Sequence, residues 1–346
     1  MTKLTSHLAQ STIASLRPLQ AAVLSALAAM ALTACGGGGS AEEASTTEAP
    51  QATTMQARAG TTSTVTMTKV SFTNSAGQAL TGFLFKDSAA TPKNAAVVMM
   101  HGCAGIWSNG NISTAAQPGI NTLSHIHKRW GQKLAQEGYV GLLVDSFTER
   151  KLTRECDNGT AGLNEAVERP KDALAGREWL IANNHVAGDR VALLGWSNGG
   201  SAVMATMDKT NEGTVGARPF KEAFSFYPGC RLINEFGGDA STLAKTTWLP
   251  YAPVTVFHGS IDPLYMPSAP NTSGYCDNRI NKAIQLGAGT STGNAVAMTV
   301  YTGARHSFDQ IDLSKAIASP YTSSDKDAQE AADPAVMTRL NTVFAQ

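Results

Sequence analysis

The chain has 346 residues, 27 basic and 27 acidic side chains, and therefore a formal net charge of zero. This length is sufficient for a single large α/β core. The balanced charge and the absence of a Lys/Arg cluster from the sequence argue against a nucleic-acid partner. Composition therefore favours one globular domain over a nucleic-acid-binding protein.

The amino-terminal 34 residues have the features of an export signal. Two strong positive charges precede an Ala/Leu-rich run of about a dozen residues at 21–32, a length typical of a signal-peptide h-region and too short to span a bilayer. The run ends in Leu32-Thr33-Ala34-Cys35, which resembles the lipobox of bacterial lipoproteins. We therefore predict a signal peptide over 1–34 and lipidation of Cys35. An ordinary cleaved signal is the alternative.

The segment 35–62 is rich in Gly, Ser, Thr, Ala and Glu and has almost no large apolar side chain. Such a composition cannot bury a core, so we predict a flexible tether. The residue after Cys35 is Gly36 and not aspartate, which by resemblance to sorted lipoproteins favours the outer membrane, with contact to lipid only through the anchor. The region 63–346 is then the folded domain.

Export changes the interpretation of the other four cysteines. An even number of cysteines in an oxidising compartment suggests two disulfides, and four cysteines allow three pairings. We prefer the pairs Cys103–Cys156 and Cys230–Cys276, because each would join two loops that follow strands at one edge of the predicted sheet. Four independent buried thiols are the alternative.

From residue 63 onwards, short apolar runs alternate with amphipathic segments, which is typical of a parallel sheet with crossover helices. No internal repeat or second core is visible in the sequence. We therefore predict one α/β domain with a mostly parallel central sheet flanked by helices. The predicted strands are 64–72, 82–85, 95–100, 139–144, the run that begins at Val191, 223–227, 254–257 and 295–301, and the predicted helices are 127–138, 171–181 and 334–344.

A glycine-flanked serine follows the apolar run that begins at Val191. Residues 195–199 fit the G-x-S-x-G pattern of a nucleophile elbow, in which a strand turns sharply into a helix with the serine at the tip. Side chains at Gly195 and Gly199 would collide with the neighbouring strand and helix. We therefore predict that Ser197 is a nucleophile, with a chance Gly-Ser-Gly turn as the alternative.

Two further polar side chains follow the last two predicted strands. Asp262 lies just after the first of these strands, and His306 lies just after the second. In a parallel sheet the functional loops follow the carboxyl ends of the strands. The chain order Ser197, Asp262, His306 is that of an α/β-hydrolase triad. His306 would accept the serine proton, and Asp262 would hold the imidazole and stabilise its positive charge.

Each triad assignment has an alternative. His306 has the alternative of an ordinary loop histidine, and Asp262 that of a turn aspartate before Pro263 that caps its own backbone. Asp309 ranks second as the acid, because it is too close to His306 in sequence to come from a separate strand end.

A hydrolase of this type also needs backbone N–H groups that face the developing oxyanion. We expect one from Asn198, directly after the nucleophile, and one from Cys103 in the small-residue segment 101–105. Cys103 has a rival interpretation as a nucleophile, which a disulfide to Cys156 would remove.

The combined motifs from about residue 65 to the carboxyl terminus resemble the dienelactone hydrolase family of α/β-hydrolases, and more narrowly an exported branch of it. The resemblance implies hydrolysis of an ester or lactone of a small molecule, with no metal or organic cofactor. The best-known members use a cysteine nucleophile and a glutamate in the oxyanion loop, where this chain has Ser197 and Gly102. The matching residues are His101–Gly105, Asp145–Phe147 with Arg150, Cys156, Gly195–Gly200, Tyr227–Cys230 and His306.

Substrate-binding residues are less marked in the sequence. Arg150 is a candidate counterpart of the arginines that bind the substrate carboxylate in the best-known members, and a solvated loop arginine is the alternative. Trp107 and Trp196 flank the catalytic loops and either line an acyl pocket or pack in the core. His125 and His127 are two residues apart and diverge on a helix, so we expect no metal site there.

The sequence is compatible with three functions. The first is a lipid-anchored serine hydrolase of small esters or lactones. The second is a related hydrolase that acts on polymers such as polyesters or acetylated glycans. The third is a non-catalytic lipoprotein that keeps the fold for binding, which the intact Ser197, Asp262 and His306 set argues against.

Overall fold

The computed structural model describes residues 64–108, 120–156, 163–209, 211, 220–230, 248–265, 276, 280 and 296–345. The predicted signal peptide, Cys35 and the tether therefore lie outside the described residues, as does most of the long segment that follows Ser108. In the part of the chain that is described, no helix is both long enough and apolar enough to cross a membrane.

An eight-stranded sheet forms the centre of the domain, with strand order β1-β2-β4-β3-β5-β6-β7-β8. The first two strands form an antiparallel hairpin, and β2 also pairs antiparallel with β4. All the remaining pairs are parallel. The strands are β1 (Val65–Thr73), β2 (Ala79–Asp87), β3 (Ala96–Met100), β4 (Val140–Asp145), β5 (Val191–Trp196), β6 (Glu222–Phe226), β7 (Val254–Gly259) and β8 (Val296–Tyr301).

Central strands of this sheet are buried on both faces. In β3 every residue is buried, with Val97 and Met99 in one core cluster and Val98 and Met100 in the other. This accounts for the continuous apolar run in the sequence, since a strand covered on both faces has no polar alternation. The predicted α/β architecture with a mostly parallel sheet is confirmed.

In the described part of the chain, four helices cover the two faces of the sheet. They are α1 (His125–Gln136), α2 (Arg169–Ala182), α3 (Asn198–Met207) and α4 (Ser323–Val343). Buried residues of α1 and α4 belong to the cluster that contains Met99, whereas those of α2 and α3 belong to the cluster that contains Met100. Each face of the sheet is therefore covered by helices.

The last helix is longer than the sequence pattern predicted. The expected helix began at Pro334, but α4 begins at Ser323, where Thr322 and Asp325 form a capping box. Pro334 lies inside the helix, where proline lacks the N–H that an intrahelical bond needs. The predicted helix start was therefore wrong. Proline is common in the first turn of a helix, but here it occupies an interior position.

Candidate active site

Ser197 lies at a sharp turn between β5 and α3. The strand ends at Trp196, the helix begins at Asn198, and Ser197 between them has φ 53° and ψ −117°. A positive φ at a residue with a side chain is strained and is held only by surrounding structure. Here the Ser197 N–H donates to Phe226 O at 2.9 Å, which fixes the turn against β6. This is the geometry of a nucleophile elbow.

Two glycines make this turn possible. A Cβ at Gly195 would lie 2.4 Å from Gly199 O, and a Cβ at Gly199 would lie 2.1 Å from Met100 O. Real Cβ atoms do not approach backbone oxygens so closely, so neither position accepts a side chain. The requirement for glycine at both positions, which the sequence predicted, is thus a consequence of close backbone packing between β3, β5 and α3.

Three side chains meet at the carboxyl edge of the sheet. The Nε2 atom of His306 lies 2.9 Å from Ser197 Oγ, and its Nδ1 atom lies 2.9 Å from Oδ2 of Asp262. Asp262 follows β7 and His306 follows β8, so adjacent parallel strands deliver both groups. The imidazole can therefore accept the serine proton at Nε2 while the carboxylate fixes the Nδ1–H tautomer.

Asp262 is fully buried, and its carboxylate has three polar partners. Besides His306, it lies 3.3 Å from His258 Nδ1 and accepts the Leu264 N–H at 2.8 Å. Burial opposes ionisation of the carboxyl, but hydrogen bonds from His258 and His306 outweigh it and hold the pKa of Asp262 below its ordinary range. The group is therefore a carboxylate at neutral pH, as a triad acid must be.

Asp309, the second-ranked acid, has a different set of partners. It is fully buried and accepts hydrogen bonds from Tyr227 Oη at 2.6 Å and Trp196 Nε1 at 3.1 Å. Arg129 lies 3.5 Å from Oδ2 and also donates to the Asp309 carbonyl. Burial, partly offset by the Arg129 charge, raises the pKa of Asp309 to about 6. The hydrogen bonds of its carboxyl are therefore made with core side chains beneath the site.

Tyr227 connects that buried carboxyl to the imidazole. Its ring lies 4.7 Å from the His306 ring, centroid to centroid, in an edge-to-face arrangement. The Tyr227 N–H donates to Phe257 O at 2.7 Å, and the residue has φ 37°. The tyrosine ring therefore packs against the imidazole of the site, a role that sequence reasoning did not assign to it.

The segment predicted to supply an oxyanion donor packs directly against the elbow. A Cβ built on Gly102 would lie 3.6 Å from Ser197 Cβ, which places this loop in contact with the nucleophile. Cys103 is bonded to Cys156, and its carbonyl accepts the Glu155 N–H at 2.8 Å. Among the described residues, neither the Cys103 N–H nor the Asn198 N–H donates to another protein atom.

Both preferred cysteine pairs lie at bonding distance. The S–S distance is 2.03 Å for Cys103–Cys156 and 1.93 Å for Cys230–Cys276. The first pair ties the oxyanion loop to the segment after β4. The second joins the segment after β6 to Cys276, whose sulfur is buried. Cys103 is therefore a bridged residue and has no thiolate to act as a nucleophile.

The three predicted substrate-binding residues are engaged elsewhere, which corrects that prediction. Arg150 forms a two-pronged ion pair with the buried Asp172, with N–O distances of 2.8 and 2.9 Å. Trp196 is 2% exposed and packs in the core, where its indole bonds to Asp309. Trp107 is 7% exposed and packs edge-to-face on Phe83. The sequence shows residues near catalytic loops but not which way their side chains point.

Arg169 is a buried site residue that sequence reasoning missed. It is the first residue of α2 and is inaccessible to solvent. A cation at a helix amino terminus opposes the helix dipole, and this misplaced charge is the signal that sequence analysis could have used. Its guanidinium donates to His101 O at 2.8 Å and to Oδ1 of Asn198. Desolvation lowers the pKa of Arg169 to about 10, so it keeps its charge at neutral pH.

Two histidines near the site are neutral core residues. His101 Nε2 accepts the Ser146 N–H at 3.1 Å, so its Nδ1 carries the proton that is donated to Gly102 O at 2.7 Å. Burial and the Arg169 charge lower the pKa of His101 well below its usual value. His127 bonds Ser124 Oγ through Nδ1, and burial lowers its pKa to about 4. Within the described ranges, no three His, Cys, Asp or Glu side chains are grouped as metal ligands.

Comparison with known proteins gives the family and the fold of the chain. Residues 81–344 match the model of the dienelactone hydrolase family. Solved structures with the same fold include a dienelactone hydrolase-like promiscuous phosphotriesterase, P91, from metagenomic libraries (18% identity, 80% of this chain and 99% of that chain covered, TM-score 0.54). A candidate dienelactone hydrolase from Klebsiella pneumoniae subsp. pneumoniae is also similar (16% identity, 82% and 99% covered, TM-score 0.52).

At these identities the solved structures establish the fold alone. No curated protein sequence matches the chain significantly. The family model, in contrast, spans well over half of the chain and includes the segments that carry Ser197, Asp262 and His306. The chain therefore belongs to the dienelactone hydrolase family, a hydrolase family with the α/β-hydrolase fold.

Proposed function

We propose that this protein is a serine hydrolase that cleaves carboxylic ester or lactone bonds through an acyl-enzyme. The observation that carries the proposal is the continuous hydrogen-bonded series from Ser197 Oγ through His306 to Asp262, with 2.9 Å at each step. The strained backbone of Ser197 presents its hydroxyl at the carboxyl edge of the sheet, where ligands bind in α/β folds. Membership of a hydrolase family supports the same reaction type.

The reaction has two halves. In the first, His306 Nε2 takes the Ser197 proton as Oγ attacks the substrate carbonyl, and the carbonyl oxygen becomes an oxyanion held by the N–H groups of Cys103 and Asn198. Collapse of this intermediate breaks the ester C–O bond, and His306 gives its proton to the leaving alcohol. In the second half, water attacks the acyl-enzyme with His306 again as base, which releases the carboxylic acid and restores Ser197.

Two arginines in the described part of the site favour an uncharged substrate near the scissile bond. Arg150, the candidate for a carboxylate contact, is paired with Asp172, and Arg169 is buried behind the elbow. Both guanidinium groups already have protein partners. The partners of these two arginines, together with Ser197 in place of cysteine, support a neutral ester or lactone over the anionic lactone of the best-known family members.

A screen of p-nitrophenyl esters of increasing acyl length tests the proposal. We expect wild-type protein to hydrolyse short neutral esters, with Ser197→Ala as the matched inactive control. Polyester particles and acetylated glycans, assayed for release of soluble products, test the polymer-directed alternative. Absence of turnover on every ester would contradict the proposal and favour a non-catalytic binding protein.

The location is also part of the proposal. We infer a lipid-anchored protein of the bacterial cell envelope, held at the outer membrane through Cys35. The lipobox-like sequence before Cys35 supports an anchor. The two cysteine pairs at bonding distance support an oxidising compartment, because disulfides persist outside the cytosol.

A further inference from the structure

The side chain of Arg169 lies between two segments that meet at the nucleophile. Its Nη2 donates to the carbonyl of His101 at 2.8 Å, and its Nη1 donates to the side-chain oxygen of Asn198. Its Nε lies 3.4 Å from Ser146 Oγ. One planar guanidinium thus holds three separate pieces of chain in a fixed relation, which its rigid fork of donors suits.

Those two segments are the ones that supply the oxyanion donors in the proposed function. His101 is two residues before Cys103, in the loop that packs on Ser197. Asn198 itself carries the second N–H, at the start of α3. The distance between two donors must be correct to a fraction of an ångström for both to reach one oxygen. No other described side chain hydrogen-bonds to both His101 O and Asn198 Oδ1.

Burial of a cation at this position costs free energy, which argues against a role for Arg169 in packing alone. Arg169 is entirely buried and opposes the dipole of the helix that it begins. An apolar residue would fill the same space without this cost. The Asn198 side chain is held from its other end as well, because its Nδ2 donates to Glu165 Oε2 at 2.6 Å. The polar series from Arg169 through Asn198 to Glu165 runs beside the nucleophile.

We propose that Arg169 is a positioning residue of the oxyanion hole: it clamps the His101 loop to Asn198, sets the separation of the two N–H donors, and places a positive charge behind the oxyanion. The inference rests on the proposed function, because it assigns a role in stabilising the tetrahedral intermediate of that reaction. It does not make Arg169 a substrate-contacting group.

The test compares an ester with its matched thionoester, in which sulfur replaces the carbonyl oxygen. Sulfur is larger and a weaker hydrogen-bond acceptor, so a well-formed oxyanion hole prefers the oxygen substrate. The ratio of the two kcat values, measured on one protein preparation, reports the geometry of the hole, and any unfolded fraction cancels. Arg169→Lys is the main variant, because the lysine ammonium keeps the charge but lacks the planar, forked set of N–H donors that reaches both acceptors.

We expect Arg169→Lys to lower kcat for the ester about 100-fold, the effect of displacing a catalytic group by about 1 Å, with little change in KM. Turnover of the thionoester should fall much less, so the oxygen-to-sulfur ratio should fall roughly tenfold or more. Asn198→Ala, which removes only the side-chain end of the clamp, should shift the ratio in the same direction. It provides the decisive test if Arg169→Lys does not fold.

Arg190→Gln is the matched control. Arg190 also donates to backbone carbonyls of separate segments, namely those of Asn94 and Phe344, but at the opposite, amino-terminal edge of the sheet. Its loss should leave the ratio unchanged. An unchanged ratio in folded Arg169→Lys and in Asn198→Ala would overturn the inference while leaving the proposed function intact. Failure of the wild type to hydrolyse any ester would overturn the proposed function and this inference with it.

Discussion

The Tyr227 hydroxyl donates a 2.6 Å hydrogen bond to Oδ1 of Asp309, and the same tyrosine ring packs edge-to-face on the imidazole of His306. Asp309 is only three residues from His306 in sequence, yet its carboxyl serves the tyrosine. The imidazole takes its acid from Asp262 instead, at the end of the neighbouring strand. One aspartate thus orients the base, and the other fixes the packing beside it.

This division of roles predicts unequal effects of two amide substitutions. Asp262→Asn should lower kcat by about 10⁴-fold, because the amide can hold the wrong imidazole tautomer. Asp309→Asn should lower kcat far less, since it leaves the His306–Asp262 contact in place. Steady-state kinetics on one activated ester measure both. The reverse order of effects would move the triad acid to Asp309.

Asp309 also makes stability depend on pH. Its pKa is raised from the usual 3.8 to about 6 by burial, so the folded protein holds this proton more tightly than the unfolded chain does. Its contribution to the free energy of unfolding therefore falls as pH rises from about 4 to about 6, by about 3 kcal/mol.

Asp309→Asn removes this titration. The Tm of the variant minus the Tm of the wild type should therefore increase as the pH rises from 4 to 7, whatever its value at pH 4. Thermal unfolding of both proteins across that pH range measures the difference. A Tm difference that stays constant with pH would contradict the raised pKa.

The triad could be predicted from sequence because each member has a local signal. Ser197 is marked by its flanking glycines, and Asp262 and His306 directly follow apolar runs that become β7 and β8. Parallel pairing then brings strand ends together without any knowledge of side-chain contacts. The sheet and most helices were predictable for the same reason, since their apolar periodicity is local.

Residues whose role depends on packing had no such signal. Trp196 is adjacent to the nucleophile in sequence, but strand alternation turns its indole into the core, towards Asp309. Arg150 lies near a motif, but its partner Asp172 is on a helix that begins 19 residues later. Arg169 has only the unusual position of a cation at a helix start, and its contacts 68 and 29 positions away could not be predicted from the sequence.

The disulfides give a chemical prediction. Peptide mapping under non-reducing conditions, on protein purified from the cell envelope, should find Cys103 linked to Cys156 and Cys230 linked to Cys276. Cys156→Ser should lower the free energy of unfolding by about 2–5 kcal/mol, because loss of the cross-link increases the conformational entropy of the unfolded chain. Four free thiols in envelope-purified protein would contradict the bridges and restore Cys103 as a reactive candidate.

The proposed anchor predicts how the protein fractionates. Wild-type protein should sediment with membranes, because acyl chains on Cys35 bury many methylene groups in lipid. Cys35→Ala should appear in the soluble fraction or remain unprocessed, and Cys156→Ser provides a cysteine control that keeps the anchor. Membrane sedimentation of processed Cys35→Ala would show that another part of the chain holds the protein to the membrane.

Covalent labelling of Ser197 is the most direct test of the central claim. A fluorophosphonate should add one phosphonyl group to the wild-type protein, and peptide mass analysis should place it on Ser197. Ser197→Ala should take up no label and lose ester turnover, with little change in Tm, because removing one accessible hydroxyl costs little packing. A label on any other residue, or near-normal turnover by Ser197→Ala, would contradict the account.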